Sequence, residues 1–105
     1  MVIVMGVKLE LDNEIKEKLR IYRALDNEIR LKILVMLYNH PNITFSDLAK
    51  LINLEKGLLA YHLGVLKNVG LVNCKYKRKS KKLSEYNLTR KGKKVVLELI
   101  LKHEK

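Results

Sequence analysis

Cysteine is almost absent from the sequence, because Cys74 is the only thiol in the chain. A lone thiol excludes an intrachain disulfide, and it cannot build a thiolate metal site without further converging ligands. Long hydrophobic runs are also lacking, since the run from Met1 to Met5 is far too short to span a membrane. Met1 to Val7 lacks the charged front and cleavage site of a signal peptide. We therefore expect a reducing, cytoplasmic setting and no membrane partner.

Residue groupings that carry catalysis are missing as well. No serine, histidine and acid stand at a spacing that indicates a catalytic site, and the five glycines form no phosphate-binding loop. The histidines are dispersed, and His62 is expected to pack or to bond to backbone rather than to phosphate. We expect no enzyme, no cofactor and no metal within one chain. The alternative is a metal site shared between subunits that uses His103 and acids of the last helix.

Positive charge is what the chain has in excess, and it is concentrated in one place. The formal net charge is +11, and residues 75–94 contribute +9 of it, through ten cations and one acid, Glu85. Within this segment "KYKRKSKK", residues 75–82, puts six cations into eight positions. A localised cationic pole focuses its field and attracts a polyanion. The alternative is a solvated lysine-rich loop that has no partner.

An arm and two helices are predicted for the N-terminal part. Residues 1–11 form the arm or a strand, because "VKLEL" alternates between apolar and polar residues. The first helix covers 12–25, with Asp12 as its cap and an apolar stripe along one side. Asp26 or Asn27 caps a second helix that is apolar nearly all the way round, which predicts a central position covered by neighbours.

A helix-turn-helix is predicted for the next part of the chain. Residues 43–45 suit a short strand, and Ser46 is expected to cap a short helix. Leucines at helical spacing predict a recognition helix over 56–69, which ends where Gly70 can adopt the left-handed conformation. The side chains assigned to the inner face of the recognition helix are Leu59, Leu63 and Leu66.

Two strands, "LVNCKYKR" and "LSEYNLT", are predicted around the basic stretch, so residues 77–82 become the tip of a hairpin, and residues 75–82 form the basic wing. Thr89 caps a final helix over 89–105. This order predicts a mainly α (α+β) fold, a winged helix-turn-helix with a two-stranded wing and N- and C-terminal dimerisation helices. We expect one domain over 1–105, with the core and the wing within 26–88. A helix fits the major groove of DNA, and a cationic hairpin beside it meets phosphates or the minor groove.

Three segments resemble one family. "ALDNEIRLKIL" (24–34) resembles the opening of the ArsR-type winged-helix regulators, and "AYHLGVLKNVGLV" (60–72) resembles the end of their recognition helix. "LT" followed by Gly92 resembles the junction after the wing in these and the neighbouring MarR-like proteins. The resemblance implies a homodimeric DNA-binding transcriptional regulator, usually a repressor. Metal-sensing members have cysteines in the segment that matches "ITFSDLA", where this chain has Thr44, Phe45 and Ser46.

Candidate DNA contacts lie on the outer side of the recognition helix, in the wing and at the start of the last helix, where the helix dipole disfavours cations unless an external anion compensates them. The set is Lys56, Gly57, Leu58, Ala60, Tyr61, Gly64, Lys67, Lys75, Lys77, Arg78, Lys79, Lys81, Lys82, Arg90 and Lys91. No Arg, Asn or Gln faces outward in the first two turns of that helix, so the usual bidentate base contacts are missing.

Three interpretations of this poor donor set are open. Leu58 and Ala60 could contact thymine methyl groups, or the helix glycines could allow close backbone approach. We favour the third, low specificity with most affinity from phosphates and DNA shape. Lys56 and Tyr61 are then the expected specific contacts, and Arg78 is the expected minor-groove contact because guanidinium is weakly hydrated.

Apolar stripes on both terminal helices predict a homodimer, because one small domain can bury only one face of such a helix. The predicted interface residues are Ile15, Leu19, Tyr22, Val96, Leu97, Ile100 and Leu101. The alternative is that the last helix lies across its own domain. The expected function is a dimeric regulator, a repressor, that binds double-stranded DNA. The second hypothesis is a winged-helix module that binds protein within a larger transcription or replication assembly.

Overall fold

The structure is a computed structural model that describes residues 3–4, 7–8, 12–76 and 84–103. Two short strands in the N-terminal arm pair as an antiparallel hairpin, with Val4 opposite Val7. The strands are β1 (Ile3–Val4), β2 (Val7–Lys8), β3 (Ile43–Thr44), β4 (Val72–Lys75) and β5 (Glu85–Leu88). The α-helices are α1 (Asn13–Leu25), α2 (Glu28–Asn39), α3 (Phe45–Ile52), α4 (Lys56–Asn68) and α5 (Arg90–Val95). Helical turns over Val96–Ile100 and Leu101–His103 continue α5.

The caps of the first two helices follow from local chemistry. The carboxylate of Asp12 accepts a hydrogen bond from the Ile15 amide at 2.9 Å, which confirms the predicted start of α1. Of the two residues proposed to cap α2, Asn27 is the cap, and its side-chain oxygen accepts from the Arg30 amide at 3.0 Å. Asp26 instead ends α1, where its backbone N–H donates to carbonyls of the last turn.

The prediction that Ser46 caps the third helix is wrong. Thr44 is the cap, and its hydroxyl accepts from the Asp47 amide at 3.1 Å. Because the backbone of Thr44 is extended, β3 ends and α3 begins at this residue, and Phe45 belongs to the helix rather than to the strand.

Glu55 caps α4, the recognition helix, in a way that the sequence interpretation did not foresee. Its two carboxylate oxygens accept from the amides of Gly57 and Leu58, both at 2.9 Å. These bonds, that of Gly57 first, hold the pKa of the Glu55 carboxyl below its ordinary value. At the other end Gly70 has a φ of +79°, and the Leu71 amide donates back to the Leu66 carbonyl at 3.0 Å. The left-handed stop at Gly70 is therefore confirmed.

The wing belongs to a three-stranded antiparallel sheet of order β3–β5–β4. Cys74 of β4 lies opposite Tyr86 of β5, and β3 pairs with the other edge of β5 through Ile43 and Tyr86. Asn42 and Asn87 exchange two hydrogen bonds of 2.7 Å beside this edge. The two predicted wing strands are confirmed, and β3 joins them, which attaches the wing to the start of α3.

The core surrounds α2. Ile33 and Leu34 are fully buried, which confirms the central position predicted for this helix. The inner face of α4 supplies Leu59, Leu63 and Leu66 to the same core, as expected. Val96, from the turn after α5, is also fully buried there.

The last helix changes its winding instead of continuing as one α-helix. After α5 the chain forms a π-turn over Val96–Ile100, in which the Leu101 amide donates to the carbonyl of Val96 five residues earlier. A 3₁₀ turn, Leu101–His103, follows. A π-turn shifts the angular positions of the side chains that follow it. Residues four apart beyond Val96 therefore do not share one face, as they would in a regular α-helix.

Candidate nucleic-acid interface

The outer ridge of α4 consists of Gly57, Tyr61 and Gly64, and all three are exposed to solvent. Among the large hydrophobic side chains of α4, Tyr61 is the most accessible, with 61% of its surface exposed. Lys56 and Leu58 are also exposed at the start of the helix. This ridge therefore stands free of the protein's own core, as a helix that enters a DNA groove must.

Ala60 departs from its predicted outward position. It is half-buried and packs against the core. The reason is its place on the side of α4 that faces the sheet, where Ala60, Gly64 and Lys67 follow one another at helical spacing. An Ala60 methyl packed in this way is a poor candidate for contact with a thymine methyl group.

The base of the wing docks directly against α4. Lys67 donates a hydrogen bond from Nζ to the Oη of Tyr76 at 2.8 Å, and the same Nζ lies 4.6 Å from the centre of the Tyr76 ring. This hydrogen bond is the main reason that the pKa of Lys67 is raised. A small cavity of about 110 Å³ separates the two elements, lined by Ala60, Leu63, Gly64, Lys67, Tyr76 and Tyr86. The end of β4, including exposed Lys75, thus stands beside the outer ridge of α4.

The predicted contacts at the wing tip lie outside the residues that the structure describes. These are Lys77, Arg78, Lys79, Lys81 and Lys82. The two ends of the segment are nevertheless defined, because Lys75 of β4 pairs in register with Glu85 of β5.

Thr89 joins the start of α5 to the end of α4. Its hydroxyl accepts from the Gly92 amide at 3.0 Å, as predicted for a cap, and donates to the Gly70 carbonyl at 2.6 Å. Arg90 and Lys91 follow in the first turn of α5, and both are exposed. The structure therefore anchors these cations close to the C-terminal end of the recognition helix.

His62 points inward from α4 and has only 4% of its surface exposed. Its Nδ1 lies 3.1 Å from Nη1 of Arg30. Because guanidinium only donates, Nδ1 must accept, and the ring proton must sit on Nε2. Burial, and then the charge of Arg30, lowers the pKa of His62. The expected packing and bonding role of His62 is confirmed, although its partner is a side chain rather than backbone.

A family profile for a winged helix DNA-binding domain matches residues 29–100, which include α2 to α5 and the wing. The chain belongs to this winged helix family. The matched range includes both α4 and the wing, the hairpin from which this class of domain takes its name.

Solved structures share the winged helix fold. HlyU from Vibrio cholerae N16961 matches with a TM-score of 0.69 and 25% identity, over 83% of this chain and 91% of that chain. MarR matches with a TM-score of 0.68 and 22% identity over 79% of this chain, which spans only 60% of MarR. An S. aureus MepR–DNA complex matches with a TM-score of 0.64 and 20% identity, over 80% of this chain and 69% of that chain. No curated protein sequence matches the chain.

The terminal helices of the winged helix domain expose apolar side chains, but the set differs from the predicted one. Ile15, Leu19 and Tyr22 are all exposed along α1, with Tyr22 at 60%. Val96 was placed at the dimer interface and is instead fully buried in its own domain. Of the remaining predicted residues Ile100 and Leu101 also pack against that core, and only Leu97 is exposed.

Leu99 is not among the predicted interface residues, and 49% of its surface is exposed. The π-turn changes which residues share a face in this part of the chain. Leu99 and Ile100 also line an open apolar groove of about 390 Å³ against α2.

Residues 12–76 and 84–103 include no helix long and apolar enough to cross a bilayer. Nor does this part of the chain contain a group of three or more His, Cys, Asp or Glu side chains that could hold a metal ion.

Proposed function

We propose that the chain is a homodimeric transcriptional regulator, a repressor of the ArsR/MarR-like type, that binds double-stranded DNA. The observation that carries this proposal is the junction between Lys67 and Tyr76, which holds the base of the basic wing beside the exposed ridge of α4. A single surface then presents a helix to the major groove and cations to the neighbouring phosphates. The S. aureus MepR–DNA complex, a structural neighbour, supports this assignment.

Each part of the surface has a distinct role in this proposal. The outer ridge of α4 enters the major groove, with Tyr61 and Lys56 nearest the bases. The wing, residues 75–82, contacts phosphates and the minor groove, and Arg78 is its minor-groove residue. Arg90 and Lys91 bind a phosphate at the start of α5. That phosphate offsets the unfavourable placement of cations at a helix N-terminus.

Most of the affinity comes from phosphates and DNA shape rather than from base contacts. Tyr61 and Lys56 are the only exposed side chains with polar donors in the first two turns of α4, and neither makes the bidentate contacts typical of base recognition. Binding of this kind weakens steeply with salt, because log affinity falls with log salt by roughly 0.9 for each phosphate neutralised.

The dimer uses the exposed apolar side chains of the terminal helices. Ile15, Leu19 and Tyr22 of α1 and Leu97 beyond α5 leave apolar surface in water on the single chain. A two-fold dimer that covers them would present two copies of α4 to successive turns of the major groove, roughly 34 Å apart.

Charge reversal in the wing tests the DNA-binding proposal. We expect the variant with Lys79, Lys81 and Lys82 changed to Glu to lose duplex binding in a gel-shift titration while its circular dichroism spectrum and melting temperature stay unchanged. The matched control reverses three exposed lysines elsewhere, at Lys18, Lys32 and Lys102. Equal retention of binding by both triple variants would refute the proposal.

A protein-binding module is the second candidate, and the apolar exposure of the α4 start favours it. Leu58 is 39% exposed and Tyr61 is 61% exposed, a pair that suits a protein surface as well as a DNA groove. This candidate predicts that affinity capture returns one stoichiometric protein partner and that the chain has no affinity for duplex DNA at low salt. Duplex binding by the purified chain decides against it.

A further inference from the structure

We propose that a second phosphate-binding site flanks the recognition helix on the side opposite the wing; this inference rests on the proposed DNA-binding function. The site is a cleft of about 380 Å³ between α1 and the C-terminal half of α4. We call it the arginine cleft. Its lining residues are Arg20, Arg23, Ala24, Arg30, Val65, Asn68 and Val69.

The choice of cation in the arginine cleft is selective. The chain has 17 lysines and five arginines, yet three of the five arginines line this one cleft and no lysine does. Guanidinium presents a planar fork of N–H donors that matches phosphate oxygens two at a time, whereas ammonium is a strongly hydrated point charge. The wing has the opposite composition, with five lysines and one arginine in residues 75–82.

Arg30 builds the inner wall of the cleft. Its Nε donates to the Ala24 carbonyl at 2.6 Å and its Nη2 to the Arg23 carbonyl at 3.4 Å, while Nη1 bonds to His62. These bonds tie the last turn of α1 to α4 and fix where Arg20 and Arg23 stand. A guanidinium has five N–H groups, so two of those on Arg30 remain available to a ligand.

Arg20 and Arg23 form the open rim of the cleft, and their positive charge is only partly balanced by carboxylates. The two residues are three apart on α1 and therefore lie on one side of the helix. Arg20 pairs with Glu17 at 3.1 Å, with both side chains nearly half exposed, which makes the pair weak and easily exchanged. Arg23 makes no ion pair with any carboxylate of the described residues. Of the three guanidinium groups, only that of Arg20 has a carboxylate partner among the described residues.

The position of the cleft identifies its occupant as DNA phosphate rather than a free anion. Ala60 and Lys67 of α4 face the wing, whereas Val65 and Val69 face the arginine cleft. The outer ridge of α4 lies between these two sides. The major groove is about 12 Å wide and is bounded by one phosphate strand on each side. A helix seated in that groove with a cationic element on each side brings those elements close to the phosphates of both strands. The arginine cleft would therefore contact the phosphates of one strand, and the wing those of the other.

The test compares two double variants that lose the same charge. R20Q/R23Q removes the rim of the cleft, and K18Q/K32Q removes two exposed lysines elsewhere. We expect R20Q/R23Q to lower the slope of log affinity against log salt by about 0.9 for each lost contact, which is about eightfold in affinity per contact at 0.1 M salt. We expect K18Q/K32Q to keep the wild-type slope, and both variants to keep the wild-type melting temperature.

The outcomes separate this inference from the proposed function. If the wild type binds duplex and both double variants share its salt slope, the arginine cleft does not contact DNA and the regulator proposal stands. A loss of affinity in R20Q/R23Q without a change in slope also overturns the inference, because it indicates a structural effect. If titration calorimetry shows inorganic phosphate bound in the cleft while the duplex slope is unaffected by R20Q/R23Q, the site belongs to a free anion. Absence of duplex binding by the wild type overturns both proposals.

Discussion

At the residue scale, His62 makes the stability of the domain depend on pH. Its buried ring accepts a hydrogen bond from Arg30 and so must be neutral in the folded protein. The unfolded chain takes up this proton near the ordinary histidine pKa of about 6.5, whereas the folded chain resists it because the pKa is lowered. Stability due to this site is therefore complete above that pH and is lost as the pH falls below it.

Urea denaturation measured between pH 8 and pH 5 tests this linkage. We expect the free energy of unfolding of the wild type to fall more steeply than that of His62→Gln, since glutamine can still accept from Arg30 but does not titrate. The groups that titrate elsewhere are common to both proteins and cancel in the difference. Parallel curves would show that His62 titrates alike in the folded and unfolded states.

Gly92 illustrates a residue whose lack of a side chain is structural. A Cβ built at this position would overlap the backbone carbonyl oxygen of Leu71, which Thr89 also binds through its amide. We expect Gly92→Ala to destabilise the domain by about 1–3 kcal/mol or more, because the obstacle is backbone and cannot rotate away.

Thermal unfolding measures the effect of Gly92→Ala. Gly64→Ala is the matched control, since a Cβ at Gly64 has open space around it and alanine favours helix. An unchanged melting temperature for Gly92→Ala would mean that α5 can move away from Leu71.

At the element scale, local chemistry predicted where most helices begin and end. Asp12, Thr89 and Gly70 act through neighbours three to five residues away, and such short-range signals can be read from sequence. The error at Ser46 arose because Thr44 and Ser46 are both good caps and only the pairing of β3 with distant β5 decides between them.

Features that depend on distant parts of the chain were not predicted. The partner of Ile43 in the sheet is Tyr86, more than forty residues away, and no local pattern indicates that pair. The π-turn that begins at the buried Val96 was likewise not indicated by any local pattern in the sequence. The arginine cleft was missed for the same reason, since Arg20, Arg30 and Asn68 come from three helices.

The cap of α4 gives a prediction for the recognition helix as an element. Glu55→Ala removes the acceptor of the Gly57 and Leu58 amides, so we expect the first turn of α4 to fray and hydrogen exchange at these two amides to accelerate. Glu55→Asp, which can still accept, is expected to retain most of the protection. Because the pKa of Glu55 is lowered, we expect the cap to persist at the ordinary carboxyl value near 4.5 and to be lost, as in the alanine variant, only when the pH falls through the lowered value and the carboxyl is protonated.

The exchange experiment has an internal reference. Amides in the middle of α4 should exchange at the wild-type rate in Glu55→Ala, since their partners lie within the helix. Uniform acceleration along all of α4 would instead indicate global destabilisation and would contradict a local capping role.

At the scale of the whole molecule, the proposed dimer would cover apolar side chains that the single chain leaves in water. Leu19 is 40% exposed and Leu97 is 48% exposed. We expect Leu19→Gln with Leu97→Gln to raise the dimer dissociation constant by at least tenfold, since each buried leucine contributes about 1.5–3 kcal/mol. Sedimentation at micromolar concentration measures this change in the dissociation constant. The two substitutions leave the net charge of the chain unaltered.

Leu51→Gln is the control for the dimer variant, because Leu51 is 45% exposed but belongs to α3, which is not one of the terminal helices. The proposal requires this control to remain dimeric and to bind duplex as the wild type does. A wild type that sediments as a monomer would rule out the dimer, and with it the two-fold spacing of recognition helices.

The hydrogen bonds that Thr89 makes at the base of the wing have a consequence for how the sequences of such chains can diverge. Thr89 binds both Gly70 and Leu71, so the stem of the hairpin is fastened where it leaves and rejoins the domain. Lengthening a segment whose ends are already held together costs little, about 0.6 kcal/mol for each doubling. Changes in the length of residues 77–83 should therefore accumulate in descendants at little cost to the fold, provided that the cations on which the proposed DNA binding depends are kept.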